Sequence, residues 1–582
     1  MPENKTTVAK LFAEENAFAV PAYQRAYSWE TTGRDANVGQ IEQFITDLRE
    51  QPSDKRYFMG HFLFETNPTD ENAWWIIDGQ QHLTTIVIFF RMLYGELKSR
   101  QASGEVIVDG DGVLLDVERV FQKYVKDRAR IKFTTVHYDN AFFEHLLVAR
   151  EGSATPTTDT RSKGLILAAR NYFAALMKEE STTELMRWSR TLANALVTTL
   201  EIEDKAESIQ IFAFQNDRGK GLTNLEKLKA HLMHQVFLSS EEEDSNTSVK
   251  FVEGEFANIY KQIERIDKLE IGKLTEDQIL SYYATAFIVG SGSALGLITK
   301  AAKDAAGNRV QWIKDFCINL GSAFVHVEQA LAFARTGSAL GDVLILEPAN
   351  SWPLILKLFH YHASNIGGCE ELFRLMEMTW FKFRFTVGGY RTRGGMDELA
   401  KKYVGDRGAL NQSLEHFSQH GFQPYWSFNA HFRQSLQGNA WSTDGRYILW
   451  KYENELRKKD KADPYPIEQY LNVFGRKNLD STIDHISPQT PKGEPHSEEF
   501  CKLHLHSLGN LVLMKWGKNS QLSNHAPTEK ACEYAKFPLI STQDVARTIA
   551  KEKQWSETQI DHRKQRIVEF ALAYWKAYPS TA

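Results

Sequence analysis

Ser481-Thr482-Ile483-Asp484-His485-Ile486-Ser487-Pro488-Gln489-Thr490-Pro491 sets a carboxylate beside an imidazole in a short apolar run. Ser481 to Ile486 predicts a strand, closed by the proline that follows. Further on, Leu505-His506-Ser507-Leu508-Gly509-Asn510 leads into Leu511 to Met514, a second predicted strand. Asn519 then opens a helical segment through Gln521 and Leu522. Two strands and a helix in that order can bring Asp484 and Asn519, both oxygen donors, onto one hard cation. Mg2+ suits such a site, because it takes one or two protein oxygens and fills its shell with water and a substrate phosphate. His485 belongs to the residue type that titrates near neutrality, so it can take a proton from an attacking water. The metal would stabilise charge on the phosphoryl group and on the leaving 3′ oxygen. Taken singly, an Asp-His pair is a polar strand end and an asparagine a turn former; the ordered set carries the reading. His496, His504 and His506 read as a polar loop rather than zinc ligands, since no clustered cysteine and no His-Glu-x-x-His accompanies them.

Around this segment lies a chain of 582 residues, too long for one core and expected to hold about two to four domains. It is 42% hydrophobic and 25% charged, values that exclude long disordered tracts. With 69 basic and 74 acidic residues it is no all-over polycation, so nucleic acid has to be met by locally placed Lys and Arg. Cys317, Cys369, Cys501 and Cys532 form no Cys-x-x-Cys pair, which argues against a disulfide framework or structural zinc and fits a reducing cytoplasm. No signal-peptide core and no run of about 18 apolar residues is present, so no membrane span is expected. The expectation is a soluble cytoplasmic protein.

Val8 to Glu15 and Leu83 to Leu97 predict helices, and Tyr57 to Phe64 and Trp74 to Ile77 predict strands, together an α+β domain. Ile76-Ile77-Asp78-Gly79-Gln80-Gln81-His82-Leu83 runs from strand through a glycine turn into a helix, whose free N–H groups suit a phosphate. A second polar loop, Asn216-Asp217-Arg218-Gly219-Lys220-Gly221, supplies further positive charge, and Thr223 with Glu226 predicts a capping box for the next helix. Tyr23, Tyr27 and Trp29 beside Arg25 read equally as base-stacking or core residues. From about residue 165 helices dominate; Ser239 to Asn246 reads as a solvated acidic loop, and Gly388 to Gly395 as a surface loop carrying Arg391 and Arg393. Ile448, Leu449, Tyr452 and Leu456 form a helical stripe, after which a basic, proline-broken stretch marks a boundary. The expected division is 1–235, a helical middle over 236–440, and 441–582.

Both constellations resemble known families. Asp484-His485, Pro488-Gln489, Leu508-Gly509-Asn510-Leu511, Asn519 with Asn524, and Lys530 resemble the GmrD-type variant of the HNH, or His-Me finger, nucleases with their ββα-metal fold. Pro21-x-Tyr23-Gln24-Arg25-x-Tyr27-x-Trp29, Asp78-Gly79-Gln80-Gln81 and Asn216-Asp217-Arg218-Gly219 are similar to the GmrS-type domain, of ParB/sulfiredoxin-like fold. The pair implies a fused GmrSD-like type IV restriction enzyme: a multidomain α+β antiphage endonuclease that attacks modified phage DNA. The resemblance implies His485 as general base, Asp484 and Asn519 as ligands of Mg2+ or Mn2+, Asn510 as a brace of the metal-binding loop, and Asn524 and Lys530 as further contacts to metal or DNA. For the N-terminal region it implies a nucleoside triphosphate, GTP or ATP, bound and hydrolysed among Arg25, Asp78, Gly79, Gln80, Gln81, Asn216 and Arg218. Homo-oligomer formation is left open. His82 stands where the family carries Arg, so nucleotide binding is expected to weaken from about pH 6 to about pH 8 as the imidazole loses its charge. Two other readings stay open: an HNH nuclease without modification preference or acting on RNA, and a nucleotide- or DNA-binding regulator with a residual nuclease site.

Overall fold

The computed structural model describes residues 5–13, 16–21, 24–32, 38–52, 55–66, 73–109, 112–149, 156–202, 223–239, 242–269, 274–346, 349–387, 395–421, 428–466, 483–514, 519, 521–522 and 524–577. The protein mixes helix and sheet and divides into two compact units, one of residues 1–284 and 290–325, the other of residues 285–289 and 326–582.

The first unit is organised by a six-stranded mixed sheet. Its strands are β1 (Lys5–Thr7), β2 (Ala17–Ala19), β3 (Phe58–Thr66), β4 (Ala73–Asp78), β7 (Phe133–Thr134) and β8 (Leu196–Ile202), in the order β1-β8-β3-β4-β2-β7, while β5 (Lys126–Asp127) and β6 (Arg130–Ile131) form a separate small hairpin. β3 runs parallel to β8 and antiparallel to β4. Successive residues Phe62, Leu63 and Phe64 are all buried, as in a strand covered on both faces. Helix α1 (Gln80–Ala102) leaves the sheet at the end of β4 and buries every residue from Leu83 to Leu93, which explains why its sequence is apolar nearly all round. Phe89 of α1 packs against Phe44 at 6.0 Å and against Phe173 of helix α2 (Arg161–Glu179) at 5.6 Å. The capping box is present at the start of α3 (Asn224–Phe237), where Thr223 and Glu226 bond reciprocally. The acidic stretch expected as a loop instead enters helix α4 (Glu242–Lys268). A carboxylate in a first turn is favoured by the helix dipole, so an acidic run in the sequence does not exclude a helix start.

Helix α5 (Arg309–Ala334) is long and apolar enough, by length and composition, to cross a membrane. Its Ile313, Cys317, Leu320, Phe324, Val327 and Leu331 are fully buried, and that spacing is the stripe of a core helix.

In the second unit, helices surround a two-stranded ribbon, β9 (Ile483–His485) and β10 (Leu511–Leu513), paired with His485 opposite Leu511, Asp484 opposite Val512 and Ile483 opposite Leu513. Side chains alternate along a strand, so the ribbon feeds two cores. Ile483, Leu511 and Leu513 join Phe381, Trp450 and Trp575 on one face; Ile486, Val512 and Met514 join Tyr534, Val545 and Ile549 on the other. Helix α6 (Glu370–Val387) carries Phe381, α7 (Thr443–Lys459) carries Trp450, and α8 (Pro527–Lys536), α9 (Ile540–Glu552) and α10 (Glu557–Tyr574) follow the ribbon. Gly509, at the turn into β10, lets α10 approach: a Cβ there would lie 2.0 Å from the Ile560 carbonyl oxygen. Gly509→Ala is therefore expected to cost about 1–3 kcal/mol in urea unfolding. Gly493→Ala, where a Cβ meets nothing within 4 Å, should be neutral. Equal midpoints for the two variants would contradict this packing.

Candidate active site

The ribbon register decides where the Asp-His pair points. Asp484 shares its face with Val512 and turns into the core, where it is 3% exposed. Its Oδ1 accepts from Lys530 Nζ at 2.9 Å and its Oδ2 from the Tyr534 hydroxyl at 2.5 Å. Lys530 and Tyr534 stand one helical turn apart on α8, so both reach one carboxylate. Lys530 Nζ also donates to the His485 carbonyl at 2.6 Å and is itself fully buried. Burial raises the Asp484 carboxyl above its usual range, against the pull of Lys530 and Tyr534, and burial lowers the Lys530 ammonium.

His485 shares its face with Leu511 and points to the opposite side of the ribbon, where it too is buried, at 6% exposed. Its Nε2 lies 3.0 Å from His506 Nδ1, and the Nε2 of exposed Gln489 lies 3.3 Å from its Nδ1 and 3.5 Å from its Nε2. Trp441 meets the ring edge-on at 5.2 Å and stacks on His506. Burial, then the neighbouring His506 and Lys530, push His485 down to about 3, so in the free protein it is neutral near pH 7.

Asn510 is fully buried and braces the loops around that imidazole. Its Oδ1 accepts from Ser487 N at 2.8 Å, and its Nδ2 donates to the carbonyls of Ser487 at 3.1 Å and Leu505 at 2.9 Å. Arg563 holds the same turn from α10, its Nη1 donating to the carbonyls of Leu508, Gly509 and Leu511 at 2.7–3.1 Å. Asn519 reaches the ribbon, its Nδ2 donating to the Ile483 carbonyl at 3.2 Å. Asn524 is exposed in a turn.

In the first unit Gly79 caps α1 at φ +96, a left-handed conformation that suits glycine, and a Cβ there would lie 2.3 Å from the Phe62 ring. Asp78 Oδ1 accepts from Gly79 N at 2.8 Å, and burial raises its carboxyl, with Glu226 adding to the rise. Gln80 opens the helix, and no side chain caps it. Gln81 is spent inside the protein: Oε1 accepts from Ser28 N at 2.9 Å and Nε2 donates to the Ala26 carbonyl at 3.2 Å. Arg25 pairs with Glu226 at 3.5 Å, and Tyr27 is buried with its hydroxyl on Thr85. Tyr23, Asn216 and Arg218 lie outside the described residues.

The profile of the GmrSD restriction endonuclease N-terminal domain matches residues 8–233, and that of the C-terminal domain of GmrSD restriction endonucleases matches residues 422–570. The chain belongs to the GmrSD restriction endonuclease family. No curated protein matches it. As a GmrSD chain it is a nuclease, and DNA is the partner such an enzyme binds.

Two expectations change for this GmrSD chain. His82 sits edge-on to Trp29 at 4.7 Å and to Phe62 at 6.1 Å, and burial lowers it to about 4. It offers no charge to a phosphate between about pH 6 and pH 8, so the expected weakening of nucleotide binding over that interval does not follow. Lys530 is buried on Asp484 and is closed to DNA. The arrangement also bears on a divalent cation. Both Asp484 oxygens already have donors, one of them an ammonium, and Asn519 presents its amide nitrogen to the strand. Among the described residues no group of three or more His, Cys, Asp and Glu side chains is gathered for a metal. The donor set as arranged does not fit a cation on Asp484.

Tyr534, Arg563, His506 and Trp441 carry no mark of a site role in the sequence; only the one-turn spacing of Lys530 and Tyr534 signals a shared target. Lys530→Met should destabilise the second unit by about 3–5 kcal/mol, because it strands a buried carboxylate. Adding Asp484→Asn should recover most of that in a urea double-mutant cycle, and additive losses would contradict the pairing. For His82, a folded-state pKa of about 4 against 6.5 unfolded gives stability that is complete above about pH 6.5 and lost as pH falls toward 4. Hydrogen-exchange protection of α1 should fall over that interval in the wild-type chain. In His82→Leu the acid-dependent loss should shrink, and an unchanged slope would contradict the burial of this imidazole.

Proposed function

We propose that this GmrSD chain is an antiphage endonuclease that cleaves or nicks modified DNA through an HNH-type centre built on His485. The carrying observation is an imidazole at the end of a ribbon strand, held by His506 and Gln489, in loops that Asn510 and Arg563 tie down through the backbone of Ser487, Leu505, Leu508, Gly509 and Leu511. A neutral imidazole beside an exposed, loosely held glutamine is suited to general-base work once water replaces that side chain. In the proposed step, His485 takes a proton from water as the water oxygen bonds to phosphorus. The bond from phosphorus to the 3′ oxygen breaks, and the leaving oxygen takes a proton from solvent. A negative phosphate beside His485 raises its proton affinity from the low value of the free protein.

The first unit belongs to the same proposal as a ParB/sulfiredoxin-like module that binds and hydrolyses GTP or ATP. Its support is the open N-terminus of α1 behind Gly79, with Asp78 and Gln80 beside it. Gln81 acts there by shaping the segment, since its amide is already engaged, while Arg25, paired through Nε with Glu226 at 3.5 Å, keeps its proposed role at the phosphate. Dependence on Mg2+ or Mn2+ is proposed with a condition: a cation reaches Asp484 only if Lys530 leaves it.

Purified wild type, incubated with matched plain and modified phage DNA, Mg2+ or Mn2+, and GTP or ATP, is expected to cut only the modified DNA and to stop in excess EDTA. His485→Ala should bind that DNA but lose about 10²–10⁴-fold in rate. Undiminished cutting by His485→Ala would refute the base assignment, and equal cutting of plain DNA would refute the modification preference.

A further inference from the structure

We propose that His506 is the positioning residue of the general base. It accepts the Nε2–H of His485, fixes that ring in one orientation and one tautomer, and leaves His485 Nδ1 as the atom that takes the proton. The proposal rests on the reading of His485 as base.

Three observations carry it. The first is the direct contact, His485 Nε2 to His506 Nδ1 at 3.0 Å, within ordinary hydrogen-bond distance. Gln489 Nε2 lies 3.3 Å from His485 Nδ1 and 3.5 Å from its Nε2, so it does not choose between the two nitrogens. With His506 Nδ1 as acceptor the proton sits on His485 Nε2, which leaves the lone pair on Nδ1. Gln489 is exposed and its contacts are long, so it can give way to water at Nδ1.

The second is that His506 is itself held. Ala440 N donates to its carbonyl at 2.8 Å, and Trp441 stacks on its ring with centroids 5.2 Å apart and planes 7° from parallel. A ring clamped through both backbone and face can impose an orientation on its neighbour.

The third is that one side chain links the two histidine loops. Asn510 bonds Ser487, two residues after His485, and Leu505, one residue before His506. The separation of the imidazoles is thus set by a fully buried brace. A nucleophile or base oriented by a third group is the general form of such sites, and the orienting group acts without touching substrate.

The test joins kinetics with a readout that needs no substrate. In full-length protein with nitrogen-15 histidine, compared with His485→Ala for assignment, His485 should show a protonated Nε2 and an unprotonated Nδ1 near pH 7. His506→Ala should lose that single tautomer. On modified DNA, His506→Ala should lower kcat about 10–100-fold with KM little changed. His506→Asn, whose side-chain oxygen can take the place of Nδ1, should restore most of it at an unchanged melting temperature. A wild-type spectrum with the proton on Nδ1 overturns the proposal even if His506→Ala fails to fold. So does full activity of His506→Ala beside an inactive His485→Ala. Full activity of His485→Ala instead overturns the base assignment beneath it.

Discussion

The pairing of Asp484 with Val512 and of His485 with Leu511 is the constraint on which the second unit depends. A strand has a side-chain period of two, so consecutive residues must face opposite ways, and only one of them can enter a given core. Val512 and Met514 fill one apolar cluster while Leu511 and Leu513 fill the other. A slip of one residue would exchange the four between the two clusters and would bring the imidazole to Lys530 and Tyr534 in place of the carboxylate. The register of β10 therefore sets which residue of β9 meets that pair.

Two neighbours in sequence thereby divide the labour of the site. Asp484 is met inside by Lys530 and Tyr534, and the pair trades desolvation against Coulomb attraction with two hydrogen bonds added. Such a pair costs little when complete and much when halved, so Lys530 works as a fixed counter-charge at the root of the site. Because Lys530 also donates to the His485 carbonyl, it anchors the backbone from which the imidazole projects. On the opposite face, His485 is also buried, is neutral near pH 7, meets His506 at 3.0 Å and is bordered by Trp441. In the proposed reaction Asp484 supplies position and His485 takes the proton.

Much of this is legible in the sequence, for reasons that differ by element. The ribbon, the Gly79 turn and the Thr223 cap are readable because short apolar runs, a glycine between strand and helix and a Thr-x-x-Glu spacing are local signals. The roles of Lys530, Arg563 and His506 are not, because each is created by a contact across tens of residues with no local mark: Lys530 to Asp484 spans 46, Arg563 to Leu508 spans 55, and His506 to His485 spans 21. His82 reads as a titratable substitute for arginine, yet the aromatic side chains of Trp29 and Phe62 around it come from elsewhere in the chain, and burial lowers its pKa to about 4. The acidic run at Glu242 misleads in the other direction, since charge alone distinguishes a loop poorly from a helix start.

The GmrSD assignment joins a first unit whose glycine turn opens a long helix to a second whose ribbon carries the Asp484-His485 pair. The central claim is that the His485 face of the ribbon is the face that meets DNA. A crystal structure of His485→Ala, which should bind without cutting, in complex with a modified duplex tests it most directly. The expected result is a phosphate on the side of Trp441 and His506, within one water of the position vacated by the imidazole. A duplex lying on the α8 side of the ribbon, or one that leaves the Trp441–His506 face bare, would contradict it.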